Sequence, residues 1–192
     1  SDGSIAGTQL LMDIQPGATG SNPSSLVVAG DRVYFLATTL ANGTELWLTD
    51  GSSAGTRMVS DLYPGPFSAL SSLDIRVPRL VALGRRVFFA ATEPTSPRCP
   101  LYISDGSAVG TRCAFAVNQF DLFAPATSIV ALASGIVAFS AWELDEGQEI
   151  HAWRDGALLP LVGADIVKGP AGSGAEKLEA TARGQVYFSA DD

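Results

Sequence analysis

The chain has 192 residues, 46% of them hydrophobic and 17% charged, which is enough apolar material for one substantial core and too much for a disordered segment. Twelve Lys and Arg against twenty Asp and Glu leave a net charge of −8, and the basic residues are scattered along the sequence, so the basic footprint of a nucleic-acid or anionic-membrane binder is absent. The longest apolar run, 129–142, is broken by Ser134, Gly135 and Ser140 and falls short of the ~20 residues of a membrane span, while one histidine and two cysteines exclude a His-rich or four-Cys metal site from the chain's own residues.

The predicted elements recur on a fixed beat. Ser1-Asp2-Gly3-Ser4-Ile5-Ala6-Gly7-Thr8 returns as Thr49-Asp50-Gly51-Ser52-Ser53-Ala54-Gly55-Thr56 and as Ser104-Asp105-Gly106-Ser107-Ala108-Val109-Gly110-Thr111, with a worn copy at Arg154-Asp155-Gly156. A second marker, Val33-Tyr34-Phe35, Val87-Phe88-Phe89, Val137-Ala138-Phe139 and Val186-Tyr187-Phe188, keeps the same step of about 50 residues. The repeat units fall at residues 1–48, 49–103, 104–153 and 154–192.

In the first complete unit, 25–29 is an apolar run ending at the Gly30-Asp31 turn, and 32–39 reads as a second strand. Asn42-Gly43 has the composition of a two-residue hairpin turn leading to a third strand at 44–48; Asp50-Gly51 opens the next turn, and 55–62 makes the fourth. In the Asp-Gly turns at Asp2, Asp50, Asp105 and Asp155 the carboxylate is placed to accept backbone N–H groups just downstream. A Pro/Gly/Ser-rich connection, 63–68, then leads to the next unit and matches Gln15-Pro16-Gly17 one repeat earlier. Both alternating faces of 33–37 are apolar, as in a sheet sandwiched between neighbours. Antiparallel four-stranded units of about 50 residues predict an all-β fold, a β-propeller of four repeat units with the last incomplete.

The run Glu45-Leu46-Trp47-Leu48-Thr49-Asp50-Gly51-Ser52 with Gly55-Thr56, followed by Asp61-Leu62-Tyr63-Pro64-Gly65, resembles the ELWxxDGT repeat family of secreted and surface proteins of bacteria. The likeness spans nearly the whole chain but weakens along it. Pro100-Leu101-Tyr102-Ile103-Ser104-Asp105-Gly106 lacks the Glu and Trp, and Glu149-Ile150-His151-Ala152-Trp153-Arg154-Asp155-Gly156 carries an extra residue with no Gly-Thr after it. The resemblance implies a repeat architecture used in binding, adhesion and multidomain settings, and no particular activity. The chain opens in one repeat turn and stops after strand two of another, so the expectation is a piece of a longer array whose last sheet lacks its Glu-Leu-Trp strand and is completed by further blades or a partner chain.

Each residue with chemical potential has a bland reading beside the functional one. Cys99 and Cys113 flank the third repeat's hairpin, and pairing Ile103 with Val109 would set them opposite one another, as a disulfide or as two buried thiols. Asp13, Asp61 and Asp165 share a repeat position and offer either calcium ligands or turn caps. Glu143, Asp145, Glu146 and Glu149 crowd one hairpin, as a carboxylate pair for glycoside chemistry, a cation site, or a solvated acidic turn. Trp47, Trp142 and Trp153 could stack on sugar rings, but Trp47 sits in a repeating strand position that Tyr102 also fills and so suits blade packing; Trp153 is the freer candidate. His151 has no nucleophile motif near it, Asn42-Gly43-Thr44 is either a glycosylation acceptor or a turn, and the glycine-rich 169–174 lacks the Lys-Ser/Thr of a phosphate loop.

These features point to a non-enzymatic extracellular module that binds a protein or glycan at the cell surface, or a building block of a surface assembly, with no cofactor beyond a low expectation of calcium. The competing expectation is a hydrolase or lyase acting on polysaccharide through carboxylates such as Glu143, Glu149 or Glu176.

Overall fold

Short β-branched and aromatic runs cut by Gly-Asp and Asp-Gly pairs leave no stretch with the length or period of a helix, and the regular elements among the described residues are all strands. The computed structural model describes residues 1–70, 80–91, 99–114, 126–143, 147–159 and 172–191, among which there is no helix, hence none able to cross a membrane. Strands β1 (Ser24–Ala29), β2 (Arg32–Thr39), β3 (Gly43–Thr49) and β4 (Arg57–Ser60) make the first sheet. The second comprises β5 (Val81–Leu83), β6 (Arg86–Phe89), β7 (Tyr102–Ser104) and β8 (Arg112–Cys113). The third comprises β9 (Ser128–Ala131), β10 (Val137–Glu143), β11 (Gly147–Arg154) and β12 (Ala157–Leu159), and β13 (Glu176–Ala180) pairs with β14 (Val186–Ser189) in a two-stranded fourth. All pairs are antiparallel between sequence neighbours, and each four-stranded sheet takes its last strand from beyond an Asp-Gly turn, so the hydrogen-bonded sheets run out of phase with the sequence units.

The sheets lie side by side, with β1 against β5, β5 against β9 and β9 against β13. Because side chains alternate along a strand, β2, β6 and β10 each feed two cores. Tyr34 and Leu36 pack with Val87, Phe89 and Tyr102 between the first and second sheets, while Phe88 of β6 turns the other way to join Val137, Phe139 and Trp153 between the second and third. Ala138 continues the series with Leu178 and Ala175. Burial of each large side chain is worth about 1.5–3 kcal/mol, so these cores are what fix the sheets against one another.

Two local expectations are corrected. The β2–β3 connection is a three-residue loop, since Thr39 pairs with Gly43, and of the Asn42-Gly43 pair Gly43 alone has a positive φ. Asn42 instead directs its side-chain amide to Asp61 Oδ2 at 2.8 Å and takes Thr39 Oγ1 as acceptor for its backbone N–H, which closes the wider loop. Cys99 and Cys113 do form a disulfide, but Cys113 stands opposite Tyr102 in the ladder rather than opposite Cys99. The wide Asp-Gly-Ser turn shifts the register, and Cys99, just ahead of β7, reaches across it. Closing a loop of 14 residues' separation in this way stabilises by about 3 kcal/mol through the unfolded chain's entropy.

Candidate functional site

The repeated turn is built the same way three times. Asp50 Oδ1 accepts from Ser52 N and Ser52 Oγ, Ser52 Oγ accepts from Gly55 N, and Thr56 Oγ1 donates to Ser52 O. Asp2–Thr8 and Asp105–Thr111 repeat every one of these bonds. With its proton on Ser52 O, Thr56 Oγ1 accepts from Thr49 Oγ1, a hydroxyl pair repeated at Ser104 and Thr111. A Cβ on Gly55 would run into the Asp50 carboxylate, which is why glycine precedes that threonine. The serine hydroxyl first, and its backbone amide second, hold the Asp2, Asp50 and Asp105 carboxyls below their ordinary values.

Asp155 belongs to a different turn. The register pairs Phe139 with His151 and Val137 with Trp153, just as Phe35 pairs with Trp47 and Val33 with Thr49. His151 thus occupies the place of Trp47 and Trp153 that of Thr49, so the extra residue of this repeat falls after the β10–β11 pairing, at Arg154 just ahead of Asp155-Gly156. Without the threonine hydroxyl the turn contracts to Asp155-Gly156, with φ of 51° and 92°, between the paired Arg154 and Ala157.

The glutamate of the Glu-Leu-Trp strand is a loop clamp. Glu45 is fully buried opposite Ala37, where Oε2 accepts from Leu62 N and Oε1 from Tyr63 N and Ala69 N at 3.2–3.4 Å. Glu149, opposite Ala141, accepts from Ser173 N at 2.7 Å and Ser173 Oγ at 2.9 Å. Both carboxylates therefore tie the connection that leaves their sheet. Where Pro100 replaces the glutamate, its carbonyl accepts from Ala126 N. Burial pushes the Glu45 carboxyl up to about 7, against the pull of its backbone donors.

The other candidates do not converge. Glu149 is 1% exposed and belongs to neither a solvated acidic turn nor an open carboxylate pair, Glu143 ends β10 opposite Gly147, and Glu176 lies exposed on β13. Asp145 and Glu146 fall outside the described residues, as do Asp165 and the first half of the glycine-rich segment, 169–171. Asp13 is exposed; Asp61 is half-buried, with Oδ2 on Asn42 and Oδ1 without a partner. Among the described residues no three His, Cys, Asp or Glu side chains gather to hold a metal. Trp153, expected to be the freer indole, is 3% exposed: its ring meets Phe88 edge-on at 5.0 Å and its Nε1 donates to Ala114 O, because it fills a core place left by the lost turn hydroxyl. Trp142, at 38%, is the exposed tryptophan.

The concave feature that stands out was not foreseen from the sequence. A recess of about 400 Å³ lies at one end of the first two sheets, lined by Ala29, Asp31, Arg32, Arg57, Arg85, Arg86 and the turn 105–107. Strand starts and tight turns deliver these residues: Arg32 opens β2, Arg57 opens β4, Arg86 opens β6, and Arg85 sits in the β5–β6 turn. Arg57 Nη2 donates to Gly106 O at 2.6 Å, Arg32 Nη1 to Asp105 O at 3.4 Å, and Arg85 Nη2 pairs with Asp31 Oδ1 at 2.6 Å. Tyr34, fully buried, places its hydroxyl against Gly106 and the Arg32 guanidinium without a hydrogen bond of its own. Burial raises the Tyr34 phenol, with Arg32 opposing.

Arginines far apart along the chain become a cluster here because Arg32 and Arg86 share one repeat phase and Arg57 comes from a second, with Arg85 adjacent to Arg86. Arginine precedes the strand-two valine in the first two sheets (Arg32, Arg86), where the third and fourth have Ile136 and Gln185, and it follows Gly-Thr at Arg57 and Arg112. Superposing the repeats by column, rather than reading along the chain, carries that signal. No protein-family model matches the chain, nor does any curated protein.

Proposed function

We propose that the chain is a set of β-propeller blades of the ELWxxDGT-repeat kind, serving as a non-enzymatic binding module or assembly block at the bacterial cell surface. Meander sheets that touch through their first strands and share a core with each neighbour support the propeller reading. The disulfide accords with an oxidising, extracellular compartment.

The observation that carries the binding reading is the character of the recess. Its two carboxylates are engaged, Asp31 by Arg85 and Asp105 by Ser107, and the Ser107 hydroxyl is bonded to Asp105 and Gly110, so its lining offers charge and hydrogen bonds but no nucleophile beside a base. The Glu-Leu-Trp carboxylate that would be the most attractive catalytic acid is buried as a loop clamp in two sheets. Isothermal titration with a panel of neutral and acidic oligosaccharides, paired with a turnover assay on the same panel, tests this reading. Saturable binding with every oligosaccharide recovered intact is the expected result, and cleavage of any of them by the purified chain overturns it.

A further inference from the structure

The recess between the first and second sheets concentrates charge that the rest of the chain disperses. Four arginines, Arg32, Arg57, Arg85 and Arg86, line it with Asp31 and Asp105, an excess of two positive charges on a chain of net charge −8. Each guanidinium carries five N–H donors, and the bonds within the recess use few of them. Arg57 holds Gly106 O and Arg32 makes one long bond to Asp105 O; Arg85 pairs with Asp31 while both side chains remain mostly exposed; Arg86 makes no hydrogen bond among the described residues. Stapling the two sheets needs Arg32 and Arg57, whose donors reach the turn carbonyls of the second sheet. The exposed Arg85–Asp31 pair adds a third link between the sheets, so stapling leaves Arg86, which lines the same recess, without a reason.

A second observation points the same way. The Tyr34 hydroxyl is buried with no hydrogen bond, against Gly106 and Arg32, both of which line the recess. A buried hydroxyl normally has a partner, and Tyr34, which is not itself a lining residue, places this one behind two residues that are, Arg32 and Gly106.

We propose that this recess binds an oxyanion, a carboxylate or sulfate, borne on a ligand about the size of a single sugar. Guanidinium forks match the paired oxygens of such groups, and all four basic residues are arginine. The volume, about 400 Å³, exceeds what a bare ion fills and falls in the range of small-molecule sites. The net charge of −8 over the whole chain disfavours an extended polyanion and favours one anionic group on an otherwise neutral ligand. Seated there, the anion bridges β2 and β4 of the first sheet to the β5–β6 turn of the second, so its binding also raises the melting temperature.

The inference rests on the binding-module reading for its biological use, and the experiment separates the two. The disulfide-intact chain is titrated with sodium glucuronate, sodium sulfate and glucose at constant ionic strength, by calorimetry and by thermal shift. Saturable binding of at least one anion, no binding of glucose, affinity falling with added sodium chloride, and a loss of about tenfold or more in Arg85→Gln/Arg86→Gln are expected. Arg112→Gln, which changes an arginine of the same repeat phase outside the recess, should bind within twofold of the parent. Glucuronate binding more tightly than sulfate assigns the recess to a sugar-borne carboxylate; bare sulfate binding as tightly as glucuronate, or more tightly, overturns the sugar-sized ligand. Arg85 and Arg86 are exposed, so the double variant keeps the parent's unliganded melting temperature. No saturable binding of either anion, equal binding of glucose, or a double variant that binds like the parent overturns the proposal. Cleavage of a glucuronate-containing oligosaccharide would instead overturn the non-enzymatic reading and leave the anion site standing.

Discussion

The interface between the first and second sheets and that between the second and third are built on one backbone plan and end in opposite chemistry. At the first, Tyr34, Arg32 and Arg57 press on the Asp105-Gly106 turn, and a polar recess opens above it. At the second, Phe88 stands where Tyr34 does, and it packs against Trp153, whose indole donates to Ala114 O. A Cβ added at Gly106 would run into Tyr34 Oη, Arg32 Nη1 and Leu48 Cδ2, whereas one added at Gly156, in the Asp-Gly turn of the third sheet, would meet nothing. Two substitutions in phase, tyrosine to phenylalanine (Tyr34 to Phe88) and serine to tryptophan (Ser104 to Trp153), turn a hydroxyl-and-arginine junction into a dry aromatic one. In a repeat fold, specialisation of one interface therefore requires no change of architecture.

The dry interface should be the more fragile to truncation. Trp153→Ala removes the aromatic contact and leaves a cavity, so a loss of about 3–5 kcal/mol is expected in urea unfolding. A loss below about 1 kcal/mol would show that the second interface does not depend on its indole. Glycine-to-alanine substitution separates turn strain from crowding. Gly106 and Gly156 have nearly the same φ, 88° and 92°, so Gly106→Ala and Gly156→Ala share the backbone penalty. An added Cβ at 106 would also lie 2.6 Å from Tyr34 Oη and 2.7 Å from Arg32 Nη1, so Gly106→Ala should cost about 1–3 kcal/mol more. Equal losses would mean that the first interface yields freely.

A smaller effect distinguishes the sheets by pH. Glu45, in the first, titrates at about 7 when folded because burial disfavours its charge, well above its ordinary value of 4.5. The stability linked to it is complete below pH 4.5 and is lost as pH rises through 7. His151, in the third, is pushed by burial down to about 4 from 6.5, so its linked stability is present above pH 6.5 and is lost as pH falls through 4. Melting temperatures of Glu45→Gln should lose the decline toward neutral pH and keep the decline toward acid. A Glu45→Gln profile that runs parallel to the parent's across pH 4.5–8 would remove Glu45 as its source. The smallest expected change is Tyr34→Phe, which makes the first interface resemble the second at one atom. Deleting a buried hydroxyl that has no hydrogen bond should alter unliganded stability by less than about 1 kcal/mol, measured by the same urea titration.

Much of the local structure was legible in the residues. Asp-Gly-Ser with Gly-Thr specifies its own turn, because every bond in it links neighbours in the chain, and the apolar alternation of β2 follows from burial on both faces. The Cys99–Cys113 bridge was legible as a pairing, though not the register that brings it together, since a wide turn hides how many residues it consumes. The role of Glu45 and Glu149 was not legible, as their partners lie 17–24 residues away in connections whose path no periodicity reports.

What the sequence by itself determined is the unit: strands of four to eight residues in the first sheet, the turn chemistry between them, and the step at which they recur. Local hydrogen bonding and side-chain alternation settle those within one repeat. The tertiary structure decided which faces meet. Only when the first two sheets lie side by side do Arg32 and Arg57 come up to Arg85 and Arg86, since charges dispersed along a chain become a site when packing cancels the distance between them. The same packing buried Trp153 and left Trp142 exposed, a choice made by the neighbouring sheet.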